Sequence, residues 1–130
     1  MDATLIIAKN FPWCPEHDDL SFSGRLHEEG FWSWDEYWLL ELALYELAGA
    51  VDISRELYWR VFRIFSYCFA ALGHHLDPND GFQITNLSRD EVYDAKERFQ
   101  LVFEGFYEGK MPEPTAFEQQ NPLFALRGSA

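Results

Sequence analysis

Ile53-Ser54-Arg55-Glu56-Leu57-Tyr58-Trp59-Arg60-Val61-Phe62-Arg63-Ile64-Phe65-Ser66-Tyr67-Cys68-Phe69-Ala70-Ala71-Leu72-Gly73 is the stretch on which the fold turns. Ile53, Leu57, Val61, Ile64, Phe65, Cys68, Phe69 and Leu72 recur every three or four residues. That spacing stacks apolar side chains on one face of an α-helix. Glu56, Arg60, Arg63, Tyr67 and His74 fill a narrower polar stripe, with Glu56 and Arg60 in the favourable i, i+4 order. His74 and His75 fall where a helix C-terminus stabilises positive charge. The reading is a helix over about 53–73, opening at Asp52 or Ser54.

Upstream, Ser33-Trp34-Asp35-Glu36 fits a capping box ahead of the Leu- and Ala-rich run Tyr37–Ala48, which Gly49 stops. Apolar residues cover most of this helix, over 33–48, so it is contacted on more than one side. Downstream, Asp77-Pro78-Asn79-Asp80-Gly81 reads as a turn. A second capping box, Ser88-Arg89-Asp90-Glu91, opens a helix over about 88–107, with Val92, Ala95, Phe99, Val102, Phe103 and Phe106 as its core stripe. Residues 3–8 read as a short strand or a buried extended arm. Residues 9–30, with Pro12, Pro15, Gly24 and Gly30, read as a long irregular segment packed by Phe11, Trp13 and Phe22. Pro112, Pro114 and Pro122 make the tail extended, and Phe117, Leu123, Phe124 and Leu126 lay it across the bundle. The expectation is a mainly α fold: one domain over 1–130, three to four packed helices with long irregular N- and C-terminal arms.

Charge and composition bound the function. Twenty-two acids against ten bases give a net charge of −12, yet 48% of the chain is hydrophobic and 18% aromatic. A disordered acidic tail lacks such aromatics, so this is a folded domain with a negative field. The field is lopsided: residues 1–52 carry eleven acids and only Lys9 and Arg25. It draws cationic partners and opposes direct binding of nucleic acid or anionic membrane. The two cysteines, Cys14 and Cys68, form no disulfide or zinc framework, which places the expected compartment in reducing cytoplasm. Met1-Asp2 does not open a signal peptide, and no apolar run approaches the ~20 residues that span a bilayer.

Candidate chemistry is sparse. The clusters Glu16-His17-Asp18-Asp19 and His27-Glu28-Glu29 offer ligand types without metal-site spacing. The 77–81 turn resembles a calcium loop but places Gly81 one residue early and Ser88 where a bidentate Glu belongs. Glu41, flanked by Trp38, Leu42 and Tyr45, is the best placed carboxyl for acid–base work, against the simpler reading of a solvated group or a partner for an arginine of the 53–73 helix. Neither cysteine has a neighbouring base. No phosphate loop, nucleophile elbow or dinucleotide fingerprint occurs. The segment Glu28-Glu29-Gly30-Phe31-Trp32-Ser33-Trp34-Asp35-Glu36 combines acids with rings, the chemistry of an interface that meets a basic protein. Trp32 and Trp34 fit either that interface or core packing.

Ser21-Phe22-Ser23-Gly24-Arg25-Leu26, followed by Phe31 through Leu44, resembles the small α-helical immunity proteins of bacterial polymorphic-toxin systems, including the contact-dependent growth-inhibition type. The resemblance covers the first half of the chain in pattern and the whole in size, acidity and helical content. It implies a cytoplasmic, non-enzymatic protein without cofactor or metal that binds and blocks a cognate toxin, many of which are basic nucleases. It carries over no binding residues. From charge and aromatic character alone, the partner-binding residues are expected to be Asp18, Asp19, Glu28, Glu29, Trp32, Trp34, Asp35 and Glu36. The alternatives are an acidic helical adaptor or regulatory domain, and a small hydrolase built on Glu41 or on His17 and Asp18.

Overall fold

The computed structural model describes residues 2–128, with side chains through 126. The chain folds as α1 (Ala3–Lys9), α2 (Phe22–Glu29), α3 (Trp34–Ala48), α4 (Arg55–Leu76), α5 (Arg89–Glu108), a 3-10 turn at Pro114–Ala116, and α6 (Leu123–Gly128), with no strand among the described residues. The fold is therefore a small all-helical bundle. The three long helices fall where periodicity places them. Ser54 caps α4 through the Leu57 N–H, and Ser88 and Glu91 complete the reciprocal box at the start of α5. At α3 only half the expected box forms: Ser33 accepts from the Glu36 N–H at 3.3 Å.

Two N-terminal segments correct the sequence reading. Residues 3–8 are neither strand nor extended arm but helix α1. Asp2 caps it by accepting from Leu5 N–H, and Ala3 and Ile7, four apart, face inward against α3. Four apolar residues in a row carry no period, so the decisive signal was the cap. Within 9–30, the eight-residue α2 replaces the later part of the expected irregular stretch. Ser21 caps it, and Gly30 ends it at φ 62° with its N–H on the carbonyls of Arg25 and Leu26.

One apolar core runs through all of this. Its centre is a ring cluster: Phe22 lies 4.8 Å from Trp32 and 5.3 Å from Tyr37, and Phe99 lies 4.5 Å from Phe103. The 82–87 segment is tied to the α2–α3 junction. Asn86 accepts from Trp32 N–H and donates to Trp32 C=O, both at 2.8 Å, while Thr85 N–H donates to Gly30 C=O at 2.8 Å.

The tail does cross the bundle, but it is not extended throughout: a 3-10 turn at Pro114–Ala116 and helix α6 at Leu123–Gly128 interrupt it. It reverses after α5 because Gly105 lets the returning chain close in: a Cβ there would sit 2.9 Å from Pro112 and 3.0 Å from the Lys110 carbonyl. Tyr45 Oη then donates to Pro112 C=O at 2.6 Å, and Asn121 Nδ2 to Trp38 C=O at 3.0 Å. Phe124 of α6 meets Tyr45 edge-on at 4.8 Å.

Candidate functional site: an acidic cleft between α5 and the returning arm

Glu91, Asp94, Arg98 and Leu101 succeed each other at three- and four-residue steps and so share one face of α5. The returning arm brings Pro112, Phe117 and Glu118 to that face, and Trp34 of α3 joins the lining. Between them lies an open cleft of about 740 Å³.

Arg98 builds its floor. Nε and Nη2 hold Glu41 Oε2 and Oε1, each at 2.8 Å, and Nη1 donates to the Gln119 carbonyl. The guanidinium is also sandwiched between the Trp38 ring at 4.8 Å and the Phe117 ring at 4.2 Å. Trp34 extends this stack, lying 4.9 Å from Trp38. Burial pulls the Arg98 pKa down, but hydrogen bonding and charge from Glu41, with Tyr37 beyond, outweigh it, so the net shift is upward. The charge on Arg98 is thus fixed and already spent on Glu41. Tyr37 Oη is buried beside the Glu41–Arg98 pair, and burial, reinforced by the Glu41 charge, drives its pKa well above the ordinary phenol value.

The carboxylates left at the rim are Glu91, Asp94, Glu97 and Glu118. Glu91 accepts from Ser88 N–H at 2.8 Å, which lowers its pKa and keeps it ionised. Trp34, Leu101 and Phe117 supply apolar lining. An acidic rim over rings and aliphatic side chains suits a cationic segment whose side chains combine charge with a hydrocarbon stem.

The residues expected from sequence differ in exposure and in partners. Trp34 lines the cleft half-buried, but Trp32 is only 1% exposed, packed on Phe22 and Tyr37, and cannot offer its ring to a partner. Asp35 is exposed. Glu36 is half-buried, and burial followed by the charge of Asp18 raises its pKa, so Asp18 and Glu36 share one neighbourhood. Asp18 accepts from Leu20 N–H at 2.9 Å, and Asp19 lies 3.3 Å from His17 Nε2. Glu29 pairs with Arg25 at 3.0 Å. Glu28 is exposed at the end of α2, and its charge bears on His27 and Tyr67. The rim acids of α5 were missed because acids there read as an ordinary solvated helix face. A signal existed: Glu91, Asp94 and Glu97 are three apart, a like-charge spacing that weakens a helix.

Glu41 is 1% exposed with both oxygens on Arg98; the arginine comes from α5, not from the 53–73 helix. No group of three or more His, Cys, Asp or Glu among the described residues could hold a metal ion. Cys68 is buried, which pushes its thiol pKa far up. Among the described residues no helix is long and apolar enough to cross a membrane. The chain matches no protein-family model, no curated protein and no solved structure.

Proposed function

We propose that this protein is a non-enzymatic inhibitor that neutralises a cationic protein partner, a toxin nuclease in the reading that the immunity-protein resemblance favours. The observation that supports this most is the acidic, ring-lined cleft on α5: four rim carboxylates surround a floor whose one guanidinium is already paired. Inhibition proceeds by occlusion. Lysine and arginine side chains of the partner enter between α5 and the arm, their stems lie on Trp34, Leu101 and Phe117, and their charges meet Asp94, Glu97 and Glu118. Asp35, Glu36 and Asp18 extend the negative field beside Trp34, where they speed encounter more than they hold the complex.

The test pairs this chain with the C-terminal domain encoded immediately upstream of its gene, scoring growth on co-expression and measuring association with the purified domain. Asp94→Lys, Glu97→Lys and Glu118→Lys together are expected to abolish rescue and to slow association roughly 10- to 100-fold, with a steep salt dependence in the unmodified protein. Glu28→Lys with Glu29→Lys is expected to change little. The reverse ranking would move the interface to α2, and toxicity undiminished by the unmodified protein would remove the inhibitor reading for that pair.

A further inference from the structure

The outer face of helix α4 is exposed and aromatic: Trp59 is 54% exposed and Phe62 47%. The two rings stack at 6.1 Å, and Arg63 lies 5.8 Å over Trp59 and 4.3 Å over Trp13, which holds the indole in place. At about 100° per residue, positions 59, 62, 66, 70 and 73 fall on one line. This line lies opposite the buried Val61, Ile64 and Cys68. Its first half carries the bulky Trp59 and Phe62; its second half carries Ala70 and Gly73, both exposed.

We propose that this face pairs with the same face of a second copy, α4 against α4 in antiparallel, about a twofold axis at Ser66. Ser66 lies at the middle of Arg55–Leu76. In that register Trp59 stands over Gly73 of the second copy and Phe62 over Ala70, so bulky meets small on either side of the Ser66 axis. The ends match in charge as well. Arg55, the first residue of the helix, comes opposite Asp77, its C-cap, and both are exposed. Each copy supplies both halves of every pair, which is the condition for a closed twofold interface.

A separate feature points the same way. Gly73 is a helix-interior glycine, unfavourable relative to alanine. Its own fold does not require it: a Cβ at 73 would meet nothing within 4 Å. An indole seated there by a second copy accounts for it. No residue of this line borders the α5 cleft, so the pairing stands apart from the proposed inhibitory site.

Sedimentation equilibrium of the full chain is expected to show a reversible species of twice the 15.3 kDa protomer, with Trp59→Ala raising its dissociation constant at least about tenfold. Arg55→Asp and Asp77→Arg should each weaken pairing, and the two together should restore it. Both substitutions suit the helix dipole, but Asp77→Arg also removes the acceptor of the Asn79 N–H, so far-UV circular dichroism of each single variant separates loss of pairing from loss of folding. Ser66→Cys should cross-link under mild oxidation well above the unmodified protein, which retains Cys14 and Cys68. Ala70→Cys should not, because its two copies would stand about 12 Å apart along the helix axis, beyond disulfide reach. A monomer at millimolar concentration, a dimer insensitive to Trp59→Ala, failure of the charge exchange to rescue, or cross-linking at 70 in preference to 66 would each overturn the proposal.

Discussion

Replacing Arg98 by Met tests the element on which both the core and the cleft depend. The methionine keeps much of the arginine stem's volume but leaves the Glu41 carboxylate, 1% exposed, without its two 2.8 Å partners. Stranding one member of a buried ion pair costs about 3–5 kcal/mol. Loss of the donor to the Gln119 carbonyl adds about 1 kcal/mol. Against a total stability of about 5–15 kcal/mol for a domain, this single change removes a large fraction. Glu41→Leu combined with Arg98→Met removes both charges, and most of the lost stability should return, because the desolvation cost of the pair disappears with it. Urea unfolding followed by far-UV circular dichroism and tryptophan fluorescence gives both numbers. The arm supplies a second readout. Phe117 and Gln119 lose their contacts with Arg98 in either variant, so amide exchange across 112–121 should accelerate even where global stability is regained. A loss below about 1 kcal/mol in the single variant, the value of a solvated surface pair, would refute the claim that Arg98 is the buried clasp of the fold.

Gly105→Ala places a methyl 2.9 Å from Pro112 and 3.0 Å from the Lys110 carbonyl and Met111 Cα; it should cost about 1–3 kcal/mol by overpacking despite the better helix propensity of alanine, and a rise in the urea midpoint would contradict that. Glu36→Gln should stabilise the protein at neutral pH. Burial and the Asp18 charge raise the folded-state pKa of Glu36 above its ordinary 4.5, so stability is lost as pH rises from 4.5 through the folded value; the advantage of the variant should fade below pH 4.5 in a melting series, and an advantage independent of pH would show that the raised pKa is not its source. Cys68, fully enclosed with its thiol pKa pushed far up, should resist iodoacetamide until the chain unfolds, whereas Cys14, partly exposed, should react in the native state; mass spectrometry of the labelled peptides distinguishes the two.

The long helices were legible because their information is local. The 3–4 spacing of α4 and the Ser88–Glu91 box of α5 each lie within a few residues of one another. The short helices were not. The cap that starts α1 is one aspartate, and α2 is held by contacts made elsewhere: Ser23 N–H and Oγ both bond to Asn10, thirteen residues away. Tertiary anchoring of that kind leaves no period in the sequence.

The same division explains the two tryptophans that sequence could not separate. Trp32 and Trp34 flank the cap Ser33 and carry the same chemistry, so composition treats them alike. Asn86, 54 residues away, claims both backbone groups of Trp32 and fixes it where its ring meets Phe22 and Tyr37. Trp34 is instead the first residue of α3, and its ring lies on Trp38, one turn on, beside the cleft. The acids of α5 follow the same logic. As a helix face they are unexceptional; they become a rim only because Gly105 permits the chain to double back and Arg98 holds Phe117 and Gln119 across from them. A concave surface is a property of two segments at once. It therefore stays hidden to any reading that takes the residues one helix at a time, and it should open, with partner association weakened, in any variant that frees the arm while leaving Asp94, Glu97 and Glu118 in place.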